Sequence, residues 1–247
     1  RGAEAVIADA AMAGVDQVLG AHLLSALPFG TVAAPRGEFL SGADFFEITV
    51  TGVAGHAGMP HCTVDPILAA AQLVSALQSI VARETKPGER LVVGIAAING
   101  GAAANVAVED VTLLGNLRWF EESQRKRALE RIQAITAGVC QGLRTRHSFK
   151  VTGGAPVTAN SGDQAAFVAQ AVAESGRART VDVAPLNASD DFAYFLQHAP
   201  GAFIGIGAGG PEAPPHHHPA FMIDERAIAL TAELLVRTTR KVLRPRD

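Results

Sequence analysis

The feature that most constrains the fold is the order of the periodic segments in the middle of the chain. Their patterns predict strand, helix, strand, strand, helix and strand at residues 44–50, 65–83, 91–98, 111–120, 121–144 and 147–152. Asp65 and Pro66 support the first helix, because Asp is a preferred N-cap and Pro is favoured at the first helical position. The order β-α-β-β-α-β predicts a ferredoxin-like unit, a four-stranded antiparallel sheet with both helices on one face.

The segments on both sides of this unit alternate between strands and helices. Residues 3–12 form a helical pattern, and residues 15–23 are a short apolar run that predicts a buried strand with His22 at its carboxyl end. The later segments predict helix, strand, helix, strand and helix at residues 161–174, 180–183, 189–197, 202–208 and 224–243. Ser161 and Gln164 have the spacing of a capping box for the first of these helices. Alternation of this kind indicates an α/β sheet.

Turn-forming residues lie where the two patterns meet. Residues 33–42 and 153–156 are rich in Gly, Pro and Ser, which is typical of linkers. We therefore predict one α/β domain built from residues 1–42 and 156–247, with a ferredoxin-like domain of residues 43–155 inserted in its middle.

Charge and cysteine content restrict the classes of partner. The chain has a net charge of -3 with acidic and basic residues scattered along it, so it offers no basic stripe for nucleic acid and no polybasic patch for a membrane surface. No apolar run approaches the roughly 20 residues that span a bilayer. The two cysteines, Cys62 and Cys140, form no disulfide framework and no Cys-x-x-Cys pair. These features favour a cytoplasmic protein without a membrane or nucleic-acid partner.

Histidines are the candidate metal ligands that the residues alone suggest. His22 ends its predicted strand, and open α/β sheets bind ligands at the carboxyl ends of strands. A lone histidine is also often a hydrogen-bonded core residue. Residues 216–218 are three adjacent histidines in a Pro-rich loop before the last helix. They fit either a metal site or a solvated loop.

Three further side chains are candidates for substrate contact. His56 lies in the loop GHAGMPH, and loops on a rigid scaffold often carry functional groups, although two exposed histidines in a turn are the plain alternative. Asn105 follows a Gly pair that either approaches a ligand or only connects two strands. Arg118 lies on a predicted strand face that suits either a carboxylate clamp or a solvated arginine.

Six motifs occur in an order that resembles one family. They are VDQVLGAHL, GHAGMPH with VDPILAAAQLVSALQSIVAR, GGAAANV, LGNLRWF, SDDFAYF and HHPAF. The chain resembles the metal-dependent, aminoacylase-type amidohydrolases that include hippurate hydrolase, N-acetyldiaminopimelate deacetylase and indoleacetyl-amino-acid hydrolases. The resemblance covers essentially all 247 residues. It implies a zinc-peptidase-like α/β catalytic domain that carries an inserted ferredoxin-like lid and dimerisation domain.

The resemblance also implies roles for five residues. His22 and His217 are expected to be metal ligands, and His56 is expected to be the lid histidine that steadies the oxyanion, in family dimers from the partner subunit. Asn105 and Arg118 are expected to contact substrate. The implied cofactors are two divalent ions, zinc, manganese or cobalt, which polarise the amide carbonyl and activate a water. The implied substrate is a small N-acyl amino acid, and the implied assembly is a homodimer through residues 43–155.

The chain departs from the family's pattern at the metal site. In the family a Cys-x-His motif and an adjacent glutamate pair precede the segment that residue 1 matches. This sequence has no Cys-x-His, and its one adjacent glutamate pair, Glu121-Glu122, opens a predicted helix of the inserted domain. Asp190 stands where the family usually has Glu. Two histidines fall short of the three protein ligands typical of a catalytic zinc. We therefore expect an incomplete catalytic domain and an inactive 247-residue chain from a parent amidohydrolase; an inert dimerisation or binding module and a dipeptidase-type relative are the alternatives.

Overall fold

The computed structural model describes residues 2–243 and divides the chain into two compact units. The split unit takes in the chain up to Ser41 together with the chain from Pro156 onward, and the inserted unit takes in Gly42–Ala155. The sequence places the first boundary one residue later, between residues 42 and 43.

Within residues 2–243, these units contain six α-helices, twelve strands and a short 3-10 helix at Pro60–Cys62. The helices are α1 Gly2–Ala8, α2 Pro66–Glu84, α3 Glu122–Gly142, α4 Gly162–Ser175, α5 Phe192–His198 and α6 Arg226–Val242. The strands are β1 Val18–Pro28, β2 Thr31–Ala33, β3 Gly37–Leu40, β4 Gly42–Thr51, β5 Gly55–His56, β6 Val92–Asn99, β7 Val106–Ala107, β8 Asp110–Trp119, β9 Arg146–Ala155, β10 Thr158–Asn160, β11 Arg179–Thr180 and β12 Gly201–Gly209.

The inserted unit has the predicted ferredoxin-like order. Its sheet runs β6-β8-β4-β9, and every neighbouring pair is antiparallel. Helices α2 and α3 pack against each other and against this sheet. The alternation along β8 explains the packing, because Leu113 and Leu117 are fully buried while Leu114 on the opposite face is exposed. Together with the α/β split unit, this confirms the predicted fold class.

Helix α2 is rich in apolar residues. By length and composition alone its 19 residues could cross a membrane, contrary to the expectation that no run comes near that length. Its buried residues include Leu73, Leu77 and Ile80, which lie on the face that packs against the sheet. Asp65 caps the helix as predicted, since its Oδ1 accepts from the backbone N–H of Ile67 at 2.8 Å. These contacts are those of a core helix.

The split unit is built around strand β12. Its sheet runs β1-β12-β2-β11, with β12 parallel to β1 and antiparallel to β2. Along β12, Ile204 and Ile206 pack with residues of α4 and α6 in one buried cluster. Phe203 belongs to a second cluster with Phe39. Strand β12 therefore has apolar cores on both faces, as a central strand of an α/β sheet requires.

Strand β1 differs from the prediction in length and burial. It continues to Pro28, so His22 lies in its middle, opposite Gly205 of β12, and not at its carboxyl end. Most of its residues are half-buried because β1 lies at the edge of the sheet in the described part of the chain. The prediction ended the strand early because Ser25 was taken for a turn residue, whereas parallel pairing with β12 keeps the backbone extended.

Several smaller predictions about the split unit were wrong. The first helix ends at Ala8, and α5 begins only at Phe192. The proposed capping box of α4 is absent, because Ser161 Oγ instead accepts from Gly201 N at 3.2 Å. Gln164 donates to the side chain of Gln17 at 2.9 Å. In both cases a contact distant in sequence replaces the local bond that the spacing suggested.

Candidate functional site

A cavity of about 420 Å³ in the split unit brings together residues from distant parts of the chain. Its polar lining comes from β1, from the segment before α5 and from the loop before α6, and its apolar lining is partly aromatic. The lining residues are His22, Leu24, Phe39, Leu40, Leu186, Ala188, Ser189, Asp190, Phe203, His216, His217 and Phe221. The cavity therefore offers several imidazoles beside an apolar wall.

His22 is held in one tautomer by its own strand. Its side chain is exposed, which does not fit the alternative of a buried core histidine. Its Nδ1 lies 2.7 Å from the carbonyl oxygen of Leu23. Because a carbonyl only accepts, Nδ1 donates, and the neutral ring keeps a lone pair on Nε2. Histidines that bind metals through one nitrogen usually donate from the other in this way.

His216, which was not predicted as a ligand, is the histidine whose ring packs beside His22. The two ring centroids are 5.2 Å apart, and the His216 ring also packs 5.0 Å from that of Phe221. Burial, followed by the proximity of His22 and His217, lowers the pKa of His216. Its Nε2 accepts a 3.3 Å hydrogen bond from Ser25 N. One nitrogen of His216 is therefore engaged in tying the loop to strand β1.

His217 is the loop histidine that was predicted as a ligand. It lines the same cavity as His22, and its side chain is exposed. Its backbone φ is 68°, in the left-handed region that non-glycine residues seldom adopt. Sparsely populated backbone conformations cluster at functional sites. The structure thus places His22 and His217 on one cavity, although their sequence positions are far apart.

Asp190 contributes a carboxylate to the lining of this cavity. Its Oδ1 accepts from Phe192 N at 2.8 Å at the start of α5. Among residues 2–243, no group of three or more His, Cys, Asp or Glu side chains is arranged to hold a metal ion. The donors are chemically suited to zinc, but a complete catalytic zinc site uses three protein ligands.

The inserted unit holds His56 and Asn105 close together. Strand β5 pairs with β7, so that His56 lies opposite Val106, and Ala57 N donates to the backbone oxygen of Asn105 at 3.1 Å. The side chains of His56 and Asn105 are both exposed. Neither short strand was predicted, because two-residue strands have no periodicity to detect. The pairing nevertheless explains how two separate loops are held side by side.

Arg118 lies on the face of β8 that was predicted for it. It is half-buried, with its guanidinium carbon 5.6 Å from the centre of the Phe45 ring. Burial lowers the pKa of this guanidinium. Arg118 is therefore partly covered, with the Phe45 ring beside it, and both the carboxylate clamp and the solvated arginine stay open.

Comparison with known proteins gives a consistent result. Residues 40–140 match the peptidase dimerisation domain of the M20 family. The chain is 34% identical over 242 residues to N-acetyl-L-cysteine deacetylase of Bacillus subtilis, covering 98% of this chain and 58% of that protein. It is 34% identical over 211 residues to an IAA-amino acid hydrolase of Arabidopsis thaliana, covering 83% of this chain and 48% of that protein.

A solved structure extends the match to the fold. A dinuclear metal-binding peptidase of the M20 family from Bacillus subtilis superposes with a TM-score of 0.77 at 27% identity, covering 98% of this chain and 61% of that one. The chain thus spans about three fifths of the length of this relative. Residues 40–140 thus contain an M20 peptidase dimerisation domain, and the chain as a whole is similar to M20-family proteins in sequence and fold, as its motifs indicated.

Proposed function

We propose that the protein is a metal-dependent amidohydrolase that cleaves the amide bond of N-acyl amino acids. The observation that carries this proposal is the cavity of the split unit, on which His22 of β1 and His217 of the loop before α6 both lie. The relatives with similar sequences are named as a deacetylase and an amino acid hydrolase, both of which act on amide bonds.

His22 and His217 are our proposed metal ligands. The Nδ1 donation of His22 to a backbone carbonyl leaves its Nε2 available, and the strained backbone of His217 supports a role beyond packing. His216 is assigned a structural role, because its Nε2 is bonded to Ser25 N. When bound, two divalent ions such as zinc, manganese or cobalt would polarise the amide carbonyl and activate a water. One relative's dinuclear metal site supports the number of ions.

The lining of the cavity suggests the kind of acyl group. Phe39, Phe203 and Phe221 contribute aromatic surface, and leucines fill much of the remaining wall. An apolar or aromatic acyl group, as in hippurate-like substrates, would bury its surface there. We assign Arg118 and Asn105 to substrate binding and His56 to donation toward the oxyanion. Partial burial disfavours the charged form of the Arg118 guanidinium and lowers its pKa. A substrate carboxylate beside it would stabilise the charged form, which supports this assignment.

We further propose a cytoplasmic homodimer that forms through the inserted unit. The match of residues 40–140 to a peptidase dimerisation domain supports the dimer. Both Cys62 and Cys140 are free thiols, which fits a reducing compartment.

We propose that the 247-residue chain by itself is inactive, because residues 2–243 hold no group of three or more potential metal ligands. The test compares the protein from the complete reading frame with the 247-residue chain, each assayed on hippurate and N-acetyl amino acids with added zinc, manganese or cobalt. We expect turnover by the former, its loss by at least about 10²-fold in His22→Ala and His217→Ala, and none by the latter.

Different results would support other readings. Turnover by the 247-residue chain would overturn its proposed inactivity. No turnover by either protein would favour an inert dimerisation or binding module. Hydrolysis of dipeptides but not of N-acyl amino acids would favour a dipeptidase-type relative. The variant Met59→Ala, which changes an exposed side chain of the inserted unit, serves as a control for non-specific loss.

A further inference from the structure

The loop that carries His56 is fixed at both ends by backbone hydrogen bonds. On one side, β5 pairs with β7, and Ala57 N donates to the oxygen of Asn105 at 3.1 Å. On the other side, Met59 N donates to the oxygen of His56 at 2.8 Å and closes a turn. His56 therefore has a defined backbone position although its side chain is exposed.

The ring of His56 is fixed by a further bond within this turn. Gly58 N lies 2.9 Å from His56 Nδ1. A backbone N–H only donates, so Nδ1 must accept with its lone pair. In the neutral ring the proton is then on Nε2. His56 thus presents an N–H donor from its outer nitrogen, whereas His22 has the opposite tautomer, with its lone pair on Nε2.

A side chain at position 58 would crowd the ring of His56. A Cβ built at position 58 would lie 3.1 Å from Cε1 and 3.2 Å from Nδ1 of His56. Contacts of that length are tighter than most real ones, so the ring would have to move away from the donor. Gly58 is not among the glycines with a positive φ, so alanine can adopt its backbone conformation. An added methyl group would therefore disturb the ring and leave the turn intact.

We propose that Gly58 is a positioning residue that holds His56 as its Nε2–H tautomer, so that the ring can donate to a negatively charged oxygen. A tautomer with a lone pair on Nε2 could not donate there and would repel such an oxygen. The use of this donor for the oxyanion rests on the proposed function, whereas the tautomer itself rests on the geometry of the turn.

The tautomer can be measured in the 247-residue chain without any catalytic activity. The protein is labelled with ¹⁵N-histidine, and long-range ¹H–¹⁵N correlation spectra are recorded above pH 8, with His56→Gln used to assign the His56 signals. We expect Nε2 of His56 to carry the proton. Gly58→Ala should reduce the ratio of the Nε2–H to the Nδ1–H form by about fivefold, the effect of one hydrogen bond of typical net strength.

Met59→Ala is the matched control, because it alters the same turn but leaves both the Gly58 N–H and the His56 ring in place. An Nδ1–H tautomer in the unmodified chain would overturn the proposal whether or not Gly58→Ala folds. An equal loss of the Nε2–H form in Met59→Ala would show that the turn and not Gly58 sets the tautomer.

A separate measurement isolates the catalytic part. In the active protein, His56→Gln keeps an N–H donor near the position of Nε2, and His56→Asn does not. Equal kcat values for these two variants would show that His56 does not stabilise the oxyanion. If the Nε2–H tautomer were confirmed in the same protein, the role of Gly58 in setting it would still stand.

Discussion

The imidazole rings of His22 and His216 pack edge to face with their centroids 5.2 Å apart, which ties an edge strand of the sheet to the loop before the last helix. The bond from Ser25 N to His216 Nε2 strengthens this link. His217, the next residue, is thereby carried to the cavity on which His22 lies. The neighbour of a proposed ligand thus anchors the loop.

This arrangement predicts a pH dependence of stability. The pKa of His216 is lowered from its usual value of 6.5, chiefly by burial, so the unfolded chain binds a proton more readily than the folded one. The contribution of neutral His216 to the free energy of unfolding is fully present above pH 6.5 and is lost as the pH falls through the lowered pKa of the folded state. Urea unfolding at pH 7.5 and 5.5 should show less loss of stability in His216→Gln than in the unmodified chain. An equal loss in both would contradict the role given to His216.

The buried carboxylate of Asp44 should contribute strongly to the stability of the inserted unit. Asp44 accepts from Trp119 Nε1 at 2.9 Å and from Arg125 Nε at 2.7 Å, and its side chain is only 6% exposed. Asp44→Ala leaves both donors without their acceptor and should lower the free energy of unfolding by about 3 kcal/mol. The control is Lys150→Ala at the more exposed pair with Glu47, which should cost under about 1 kcal/mol. Similar losses in the two variants would contradict this account.

The packing between strands β4 and β8 predicts that the stability effects of substitutions at Phe46 and Gly115 are coupled. Gly115 of β8 lies opposite Phe46 of β4, and a Cβ at position 115 would overlap the Phe46 ring. Gly115→Ala should therefore destabilise the unit by about 1–3 kcal/mol through overpacking. In Phe46→Leu the same substitution should cost at least about 1 kcal/mol less. A double-mutant cycle of Gly115→Ala and Phe46→Leu, measured by urea denaturation, gives the coupling free energy between the two positions. Strictly additive losses would contradict a direct clash between the new methyl group and the Phe46 ring.

The two edges of the inserted sheet differ in their suitability for self-association. Strand β9 carries Arg146 and Lys150, charges that discourage edge pairing, while β6 is almost entirely apolar and exposes Ile98. We expect β6 to be the edge used by the proposed homodimer. Ile98→Lys should shift light scattering toward monomer at concentrations of about tens of micromolar. The control variant Val151→Lys on β9 should remain dimeric. An unmodified chain that is monomeric would contradict this prediction, and so would a monomeric Val151→Lys beside a dimeric Ile98→Lys.

The sequence predicted the inserted unit better than the split unit, for a physical reason. A strand with one covered face, such as β8, alternates between apolar and polar residues and is recognisable from its period. Strand β1 has no regular alternation of apolar and polar residues, so only its pairing with β12 determines that it ends at Pro28. Local caps follow the same rule. Asp65 bonds to its own helix, whereas Ser161 bonds to Gly201 on another strand.

In the candidate site, the sequence could identify the candidate residues but not which side chains and backbone groups they contact in space. The family resemblance favoured His217, and the structure places that residue on the cavity with His22. Nothing in three consecutive histidines shows which one packs on β1, because that depends on the left-handed turn at His217 and on the Ser25 N–H that donates to His216. The tautomers of His22 and His56 depend on single hydrogen bonds to Leu23 and Gly58, which leave no pattern in sequence.

The central claim, that His22 and His217 belong to one metal-binding cavity, is tested most directly by zinc titration of the 247-residue chain labelled with ¹⁵N-histidine at pH 7.5. We predict weak binding in which the ring nitrogens of His22 and His217 shift together at the same zinc concentrations, while His22→Ala abolishes the shift at His217. A shift at His217 that survives in His22→Ala, or zinc binding that leaves both rings unchanged, would contradict the account.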